Sequence, residues 1–233
     1  MAFWREKGGD IRVCDYTPND VSSTLIRYNA ELGFYDNLDS QVVKYIKNNN
    51  LYCKYSELIK KLRENIPFNT FEHCSRTASY ALKLNYDLKL GLDYDKVLLS
   101  GLLHDCAKAL CREKHDAGNI PSDSVGKPVE HQFMGALVAR SEYGVDDDEI
   151  LDAIRYHTTG RQNMSDLQKL IFCADMLEVG RKYDGVDELR KIIGGSLDDG
   201  YKACALAQYE FLKEKGGEIY PLTLEAVDEF INN

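Results

Sequence analysis

The chain has 233 residues, 29 Lys and Arg against 38 Asp and Glu, and a formal net charge of −9. Hydrophobic residues make up 44% and charged residues 29%, a balance that supports a buried core in one large domain or in one domain with a small appendage. Net negative charge disfavours a nucleic-acid surface, no run reaches the roughly 18 apolar residues of a membrane span, and the charged start MAFWREKGGDIRVCDY lacks a signal peptide's apolar stretch. Seven cysteines, at 14, 53, 74, 106, 111, 173 and 204, are odd in number and include no CxxC pair, which points to reduced thiols in the cytoplasm rather than to a disulfide framework or zinc ribbon.

Residues 1–53 are polar and rich in Asn and Tyr, and form an N-terminal appendage to whatever follows. From residue 54 to 233 helical periodicity dominates and strand-like alternation is hard to find, so the fold class is all-α. Residues 71–85 (FEHCSRTASYALKLN) place His73, Thr77, Tyr80 and Leu84 on one stripe of a helix. A second helix is predicted over 93–109, with Val97, Leu98, Leu102 and Leu103 apolar, Gly101 allowing close approach, and His104 and Asp105 carried at its buried end. Residues 111–130 hold Gly118, Pro121, Gly126 and Pro128 and read as a loop. A helix over 131–143 begins with His131. Asp146 with Glu149 predicts a capping box for the next helix, which carries Ile150, Ala153, Ile154 and His157 on one side. Ser165 with Gln168 repeats that device before Leu167, Ile171 and Ala174, with Asp175 beside them. Gly194, Gly195 and Gly200 mark a turn region, followed by helices around 201–215 and 222–231 with Pro221 near the start of the second.

His73, His104, Asp105, His131, His157 and Asp175 are polar residues on buried helical faces, and they include four of the five histidines in the chain. Unpaired, such groups cost several kcal/mol on burial. Helices in a bundle can aim one group each at a common centre. Imidazole with carboxylate suits a divalent transition metal and leaves positions open for water, which a bound cation acidifies. Asp105 has two oxygens and can bridge a second ion, with His131 and His157 either completing that site or touching substrate oxygens. Taken one at a time, each of these residues is more simply a satisfied core histidine or a helix-capping carboxylate. Thr158 and Thr159, after the helix of His157, have hydroxyls suited to phosphate oxygens, although a helix-ending turn also explains them. Arg181 and Lys108 supply cationic donors for a polyphosphate, Arg bidentately.

The order His73, His104–Asp105, His131, His157, Asp175 resembles the HD-domain metal-dependent phosphohydrolases. The blocks FEHCSRTASYA, LLHDCAKAL, EHQFMGALVA, DAIRYHTTGRQNMSDLQKLIFCADMLEVGRKYDGVDELR and IYPLTLEA narrow the resemblance to the YqeK family of symmetrical diadenosine tetraphosphatases, over about 60–233. The loop 111–130 is shorter than that family's pattern. The resemblance implies an HD-domain helical bundle that hydrolyses Ap4A to two ADP by metal-activated water, with Asp105 and His104 catalytic. It implies His73, His104, Asp105 and Asp175 as metal ligands, with His131, His157, Thr158 and Arg181 facing the nucleotide. Iron is the metal it suggests; manganese, nickel or zinc suit the same donors. The implied partner is a dinucleoside polyphosphate, with no nucleic acid and no membrane, and a homodimer is compatible with it. Two alternatives are an HD phosphohydrolase of another nucleotide (a nucleoside monophosphate or a cyclic nucleotide) and a non-catalytic nucleotide-binding module.

VSSTLIR (Val21 to Arg27) with VVKYIKNNNLY (Val42 to Tyr52) resembles the C-terminal tail of nicotinate-nucleotide adenylyltransferases, where small hydroxyls at a helix N-terminus bind phosphate. Read alone, SSTLIR is an N-capped helix with a surface Arg. The HxGH-type motif of those enzymes is absent from this chain, whose histidines begin at 73, so residues 1–53 look like a remnant and no adenylyltransferase activity is expected.

Overall fold

The structure, a computed structural model, describes residues 23–109 and 120–231. They form eleven α-helices and a short 3₁₀ turn, with no strand among the described residues: α1 (Ser23–Glu31), α2 (Ser40–Asn48), α3 (Ser56–Asn65), α4 (Phe68–Asp87), α5 (Tyr94–Leu103), the turn Ser122–Ser124, α6 (Glu130–Tyr143), α7 (Asp148–Arg155), α8 (Asp166–Leu177), α9 (Val186–Ile193), α10 (Leu197–Glu214) and α11 (Pro221–Ile231). The all-α expectation is met. Helix α8 is the hub, packing against α4, α5, α7, α9 and α10. Its own apolar face explains why: Leu170, Ile171, Phe172 and Leu177 are almost entirely withdrawn from water, together with Leu98, Leu102 and Leu103 of α5 and Ile154 of α7. Each such side chain contributes about 1.5–3 kcal/mol on burial. No helix among the described residues is long and apolar enough to cross a membrane.

Helix starts follow local chemistry. The Ser165–Gln168 capping box is present, with Ser165 accepting from the Gln168 amide and Gln168 reaching back to Ser165 N–H. The start of α7 is capped by Asp147, which accepts from Glu149 N–H at 2.9 Å, one residue after the Asp146 expected from sequence. Helix α5 ends at Leu103 rather than 109. Beyond it the chain tightens into three-residue turns, Cys106 N–H to Leu103 O and Lys108 N–H to Asp105 O, and the His104 imidazole takes the Gly101 carbonyl. His104 and Asp105 therefore sit in the turn that closes the helix. Of the expected loop 111–130, residues 111–119 lie outside the described residues; Tyr220 Oη donates to Asp123 at 3.0 Å in the turn that follows. Val21 and Ser22 of the VSSTLIR segment also lie outside them, and the rest of that segment opens α1.

Helix α1 is tied to the bundle. Helix α1 packs on α4, where Ser79 Oγ donates to Asn29 Oδ1 at 2.6 Å; the Tyr28 ring stacks at 4.3 Å on Tyr94 at the start of α5, and Leu32, just after α1, joins the main apolar cluster.

Two glycines set helix contacts. Gly200, expected in a turn, lies inside α10, where a Cβ would come within 2.5 Å of the Ile193 side chain; its absence lets α9 and α10 touch. Gly101 does the same for α4 and α5, since a Cβ there would lie 2.6 Å from Ala78 Cα. That contact is backbone and cannot yield by a rotamer change. Gly101→Ala is expected to cost about 1–3 kcal/mol as overpacking, read as a lower urea midpoint; an unchanged midpoint would show that α4 and α5 have slack.

Candidate metal centre

Five segments of the bundle converge on Asp105, which is 1% exposed. His73 comes from the middle of α4, His104 and Asp105 from the turn after α5, His131 from the start of α6, His157 from the turn after α7 and Asp175 from the last turn of α8. Three sets among them bring their donor atoms within 4.8 Å of one another: His73, His104 and Asp105; His104, His157 and Asp175; and Asp105, His131 and His157.

Every imidazole here is oriented by an oxygen acceptor. His104 Nδ1–H donates to Gly101 O at 2.8 Å, His131 Nδ1–H to Pro128 O at 2.6 Å and His157 Nδ1–H to Ile154 O at 2.7 Å, each three residues back. His73 Nδ1–H donates to Glu178 Oε1 at 3.2 Å. With Nδ1 protonated in all four rings, the neutral tautomer leaves a lone pair on every Nε2. Those lone pairs point at one another, with His73 and His104 Nε2 atoms 3.1 Å apart and those of His131 and His157 3.2 Å apart. Nitrogen lone pairs at that distance repel unless a proton or a cation lies between them.

The carboxylates sharpen the point. Asp175 Oδ1 is 2.8 Å from His73 Nε2 and 3.7 Å from His104 Nε2. Asp105 Oδ2 lies 3.6 Å from His104 Nε2 and 3.9 Å from His73 Nε2, and accepts from Lys108 Nζ at 2.7 Å. Its other oxygen, Oδ1, is 3.4 Å from His131 Nε2 and 3.6 Å from His157 Nε2, and has no hydrogen-bond partner among the described residues. A buried carboxylate oxygen without a partner is costly. Both its neighbours are lone-pair nitrogens, so the gap calls for a cation or a hydrogen-bond donor, and a divalent cation satisfies all three acceptors at once. Asp105 can therefore be shared between two donor groups, His73, His104, Asp175 and Asp105 Oδ2 on one side and Asp105 Oδ1, His131 and His157 on the other, with His104, Asp175 and His157 themselves within 4.8 Å of one another across the two.

Protonation follows the same logic. Burial alone would push Asp105 up, but His104, His157 and Lys108 outweigh it and hold the carboxyl well below the usual range. Asp175 is likewise held down, burial being outweighed by His73, His104 and Arg181. Burial drives the His104 imidazole down to about 4, and burial with the neighbouring His157 takes His131 down to about 4. His73 goes the other way: burial opposes its charge, but hydrogen bonds to Asp175 and Glu178 raise its pKa. Without an ion, a proton on His73 Nε2 is thus the group that relieves the first set.

Thr158 Oγ1 stands 3.0 Å from His131 Nε2 and 2.9 Å from His157 Nε2, so its one hydroxyl proton satisfies one of the two. Arg181 donates from Nη2 to Asp175 Oδ1 and approaches His73 Nε2 at 3.2 Å; burial opposes its charge, but Asp175 and Glu178 raise its pKa. Lys108 and Arg181, half and about a third exposed, form the cationic rim. Thr159 stands apart: its side chain is buried and its hydroxyl donates to Gly160 O at 2.8 Å, away from the cluster.

Glu178 is a site residue that the sequence reading did not single out. It anchors His73, accepts from Arg76 Nε at 2.8 Å, and stays ionised with its pKa near about 2, burial being outweighed by the His73 and Arg76 bonds. The spacing His73–Arg76 on one face of α4, opposite a carboxylate three residues past Asp175, is the signal that could have found it.

Comparison with known proteins gives this geometry its context. An HD domain matches residues 70–180. The chain is 36% identical over 187 residues to a symmetrical bis(5'-nucleosyl)-tetraphosphatase of Staphylococcus aureus, covering 75% of this chain and 93% of that protein. It is 30% identical over 174 residues to a probable nicotinate-nucleotide adenylyltransferase/Ap4A hydrolase of Mycoplasma genitalium, covering 69% of this chain and 47% of that longer protein. The crystal structure of a predicted HD superfamily hydrolase involved in NAD metabolism from Clostridium acetobutylicum superposes with a TM-score of 0.68 at 31% identity, over 77% of this chain and 97% of that one. A buried HD cluster in an all-α bundle, with near-complete coverage of the Staphylococcus aureus enzyme, places the chain in the HD-domain family of symmetrical bis(5'-nucleosyl)-tetraphosphatases.

Proposed function

We propose that the chain hydrolyses diadenosine tetraphosphate at its central anhydride, giving two ADP. The observation that carries this reading is Asp105: a buried, ionised carboxylate with one oxygen toward each of two imidazole pairs, on a chain similar to enzymes named for symmetrical cleavage. His73, His104, Asp105 and Asp175 would hold a first divalent cation, and Asp105, His131 and His157 a second. Iron is our assignment, and manganese, nickel and zinc suit the same donors. A cation there supplies acidified water and neutralises charge on phosphoryl oxygens.

The protein's own part is positioning. The four Nδ1–H bonds keep each Nε2 lone pair aimed inward, so no ring must rotate before it can act. Lys108 and Arg181 meet the anionic oxygens of the tetraphosphate, and Thr158 offers a hydroxyl at the second set. Water adds to one of the two central phosphorus atoms while the bond to the bridging oxygen breaks. The leaving ADP carries that oxygen, the ADP formed carries the water's, and the protons of water leave to solvent. We further read residues 1–53 as an appendage without adenylyltransferase activity and 54–233 as the hydrolase.

Purified protein loaded with iron or manganese is expected to convert Ap4A to ADP alone on chromatography. AMP with ATP would overturn the symmetrical cut, and no turnover with metal verified as bound would favour a nucleotide-binding module. Asp105→Ala is expected to lower turnover on the order of 10³-fold or more while leaving the helical circular dichroism signal intact; retained turnover with metal bound would remove Asp105 from the centre.

The metal-free protein should also be acid-sensitive. His104 and His131 titrate near about 4 in the fold against an ordinary 6.5. As pH falls through 6.5 the unfolded chain takes up these protons before the folded one does, so stability is lost between about pH 6.5 and about pH 4. His73, with its pKa raised, opposes this as one group against two, and Glu178 adds further loss below its ordinary value. The urea midpoint of the metal-free protein is expected to be lower at pH 5 than at pH 7.5; an equal or higher midpoint would mean the two rings are already charged in the fold.

A further inference from the structure

Gln132 follows His131 and is fully buried, on a helix face otherwise filled by Phe133, Met134, Ala136 and Val138. A neutral amide in such a place must have its hydrogen bonds made, and here they all go to one segment. Its Oε1 accepts from the backbone N–H of Thr158 at 3.1 Å and of Thr159 at 3.1 Å. Its Nε2 donates to Thr159 Oγ1 at 3.0 Å, and the Thr159 hydroxyl passes the chain on to Gly160 O. The opposite side of the same turn is held by Gln208 of α10, whose Nε2 donates to Thr158 O at 2.7 Å.

The segment so held is the one that presents His157 and Thr158. His157 is already fixed to α7 through Ile154 O, and His131 to its own helix start through Pro128 O. Those bonds orient each ring on its own element but do not set the distance between the two elements. Gln132 adjoins His131 in the chain and grips the backbone of the two residues directly after His157, so it ties the two elements at the backbone, whereas the Thr158 hydroxyl meets only the ring nitrogens.

We infer that Gln132 is a positioning residue of the second cation set, locking the His157–Thr158 turn to the start of α6 and thereby fixing the approach of the His131 and His157 Nε2 atoms. The inference rests on the two-cation reading above. It also gives Thr159 a role, as the relay between Gln132 and Gly160.

The test is manganese stoichiometry and affinity of the full chain by equilibrium dialysis, with the spin-coupled manganese pair followed by electron paramagnetic resonance. Wild type should bind two ions. Gln132→Met, which fills the volume but makes none of the bonds, should keep the first ion within about twofold and bind the second about 10- to 100-fold more weakly. The coupled signal should be lost at limiting manganese, and kcat for Ap4A should fall more than KM rises. Gln132→Glu retains an acceptor for both N–H groups, and the Thr159 hydroxyl can turn to donate to it, so most of the second-ion affinity should return. A Gln132→Met protein that binds the second ion as tightly as wild type overturns the proposal. Equal weakening of both ions, without recovery in Gln132→Glu, also overturns it, because Gln132 would then be a general packing residue. A single ion in wild type would overturn the two-cation reading itself and the proposal with it.

Discussion

The structure turns on the burial of Asp105 as an anion among four imidazoles. An ionised carboxylate taken out of water loses several kcal/mol of hydration that its surroundings must restore. Here one oxygen is met by Lys108, and the other faces nitrogens with no hydrogen to give. Everything near it follows from that deficit. The rings are turned by their Nδ1–H bonds so that lone pairs face inward, and Arg181, with His73 when protonated, brings positive charge to Asp175. Such a constellation is poorly satisfied as a hydrogen-bond network and well satisfied by cations.

The bundle supplies the rigidity that this arrangement needs. Helix α8 carries Asp175 at its last turn and packs against five neighbours, so that carboxylate is held by the core itself. Gly101 serves two purposes: its missing Cβ lets α5 lie against α4, and its carbonyl receives His104. The separation between His73 on α4 and His104 after α5 is thus fixed by a backbone contact one turn away. That economy ties the stability of the fold to the geometry of the centre, so damage to one should register in the other.

Much of the centre is legible in the sequence because its members follow apolar helical periodicity with a polar residue: His73, His131 and Asp175 do so inside helices, while His104, Asp105 and His157 keep that spacing just past a helix end, in the closing turn. What was not legible depends on hydrogen bonds that leave no periodic trace. Helix α5 was extended to 109 since LLHDCAKAL keeps helical spacing, whereas the His104 ring and the Leu103 carbonyl close it earlier. Gly200 looked like a turn residue because glycine usually is one; its use for close contact with Ile193 needs the partner helix to be seen. Glu178 and Gln132 look like ordinary polar residues until the atoms they hold are located.

Thr158 and Thr159 show how far residue type falls short of residue role. The two are adjacent, chemically identical and equally suited by sequence to a phosphate. One presents its hydroxyl to His131 and His157 and the other turns away to Gln132 and Gly160. Their backbone N–H groups are both claimed by Gln132, so neither amide is left to bind an anion. Among the described residues, the donor this turn leaves facing the centre is the Thr158 hydroxyl, and Lys108 and Arg181 are the cations on the rim. Under the function proposed above, neutralising the substrate would fall to these few side chains and the centre beneath them, which would let a chain of net charge −9 take a polyanion as its ligand.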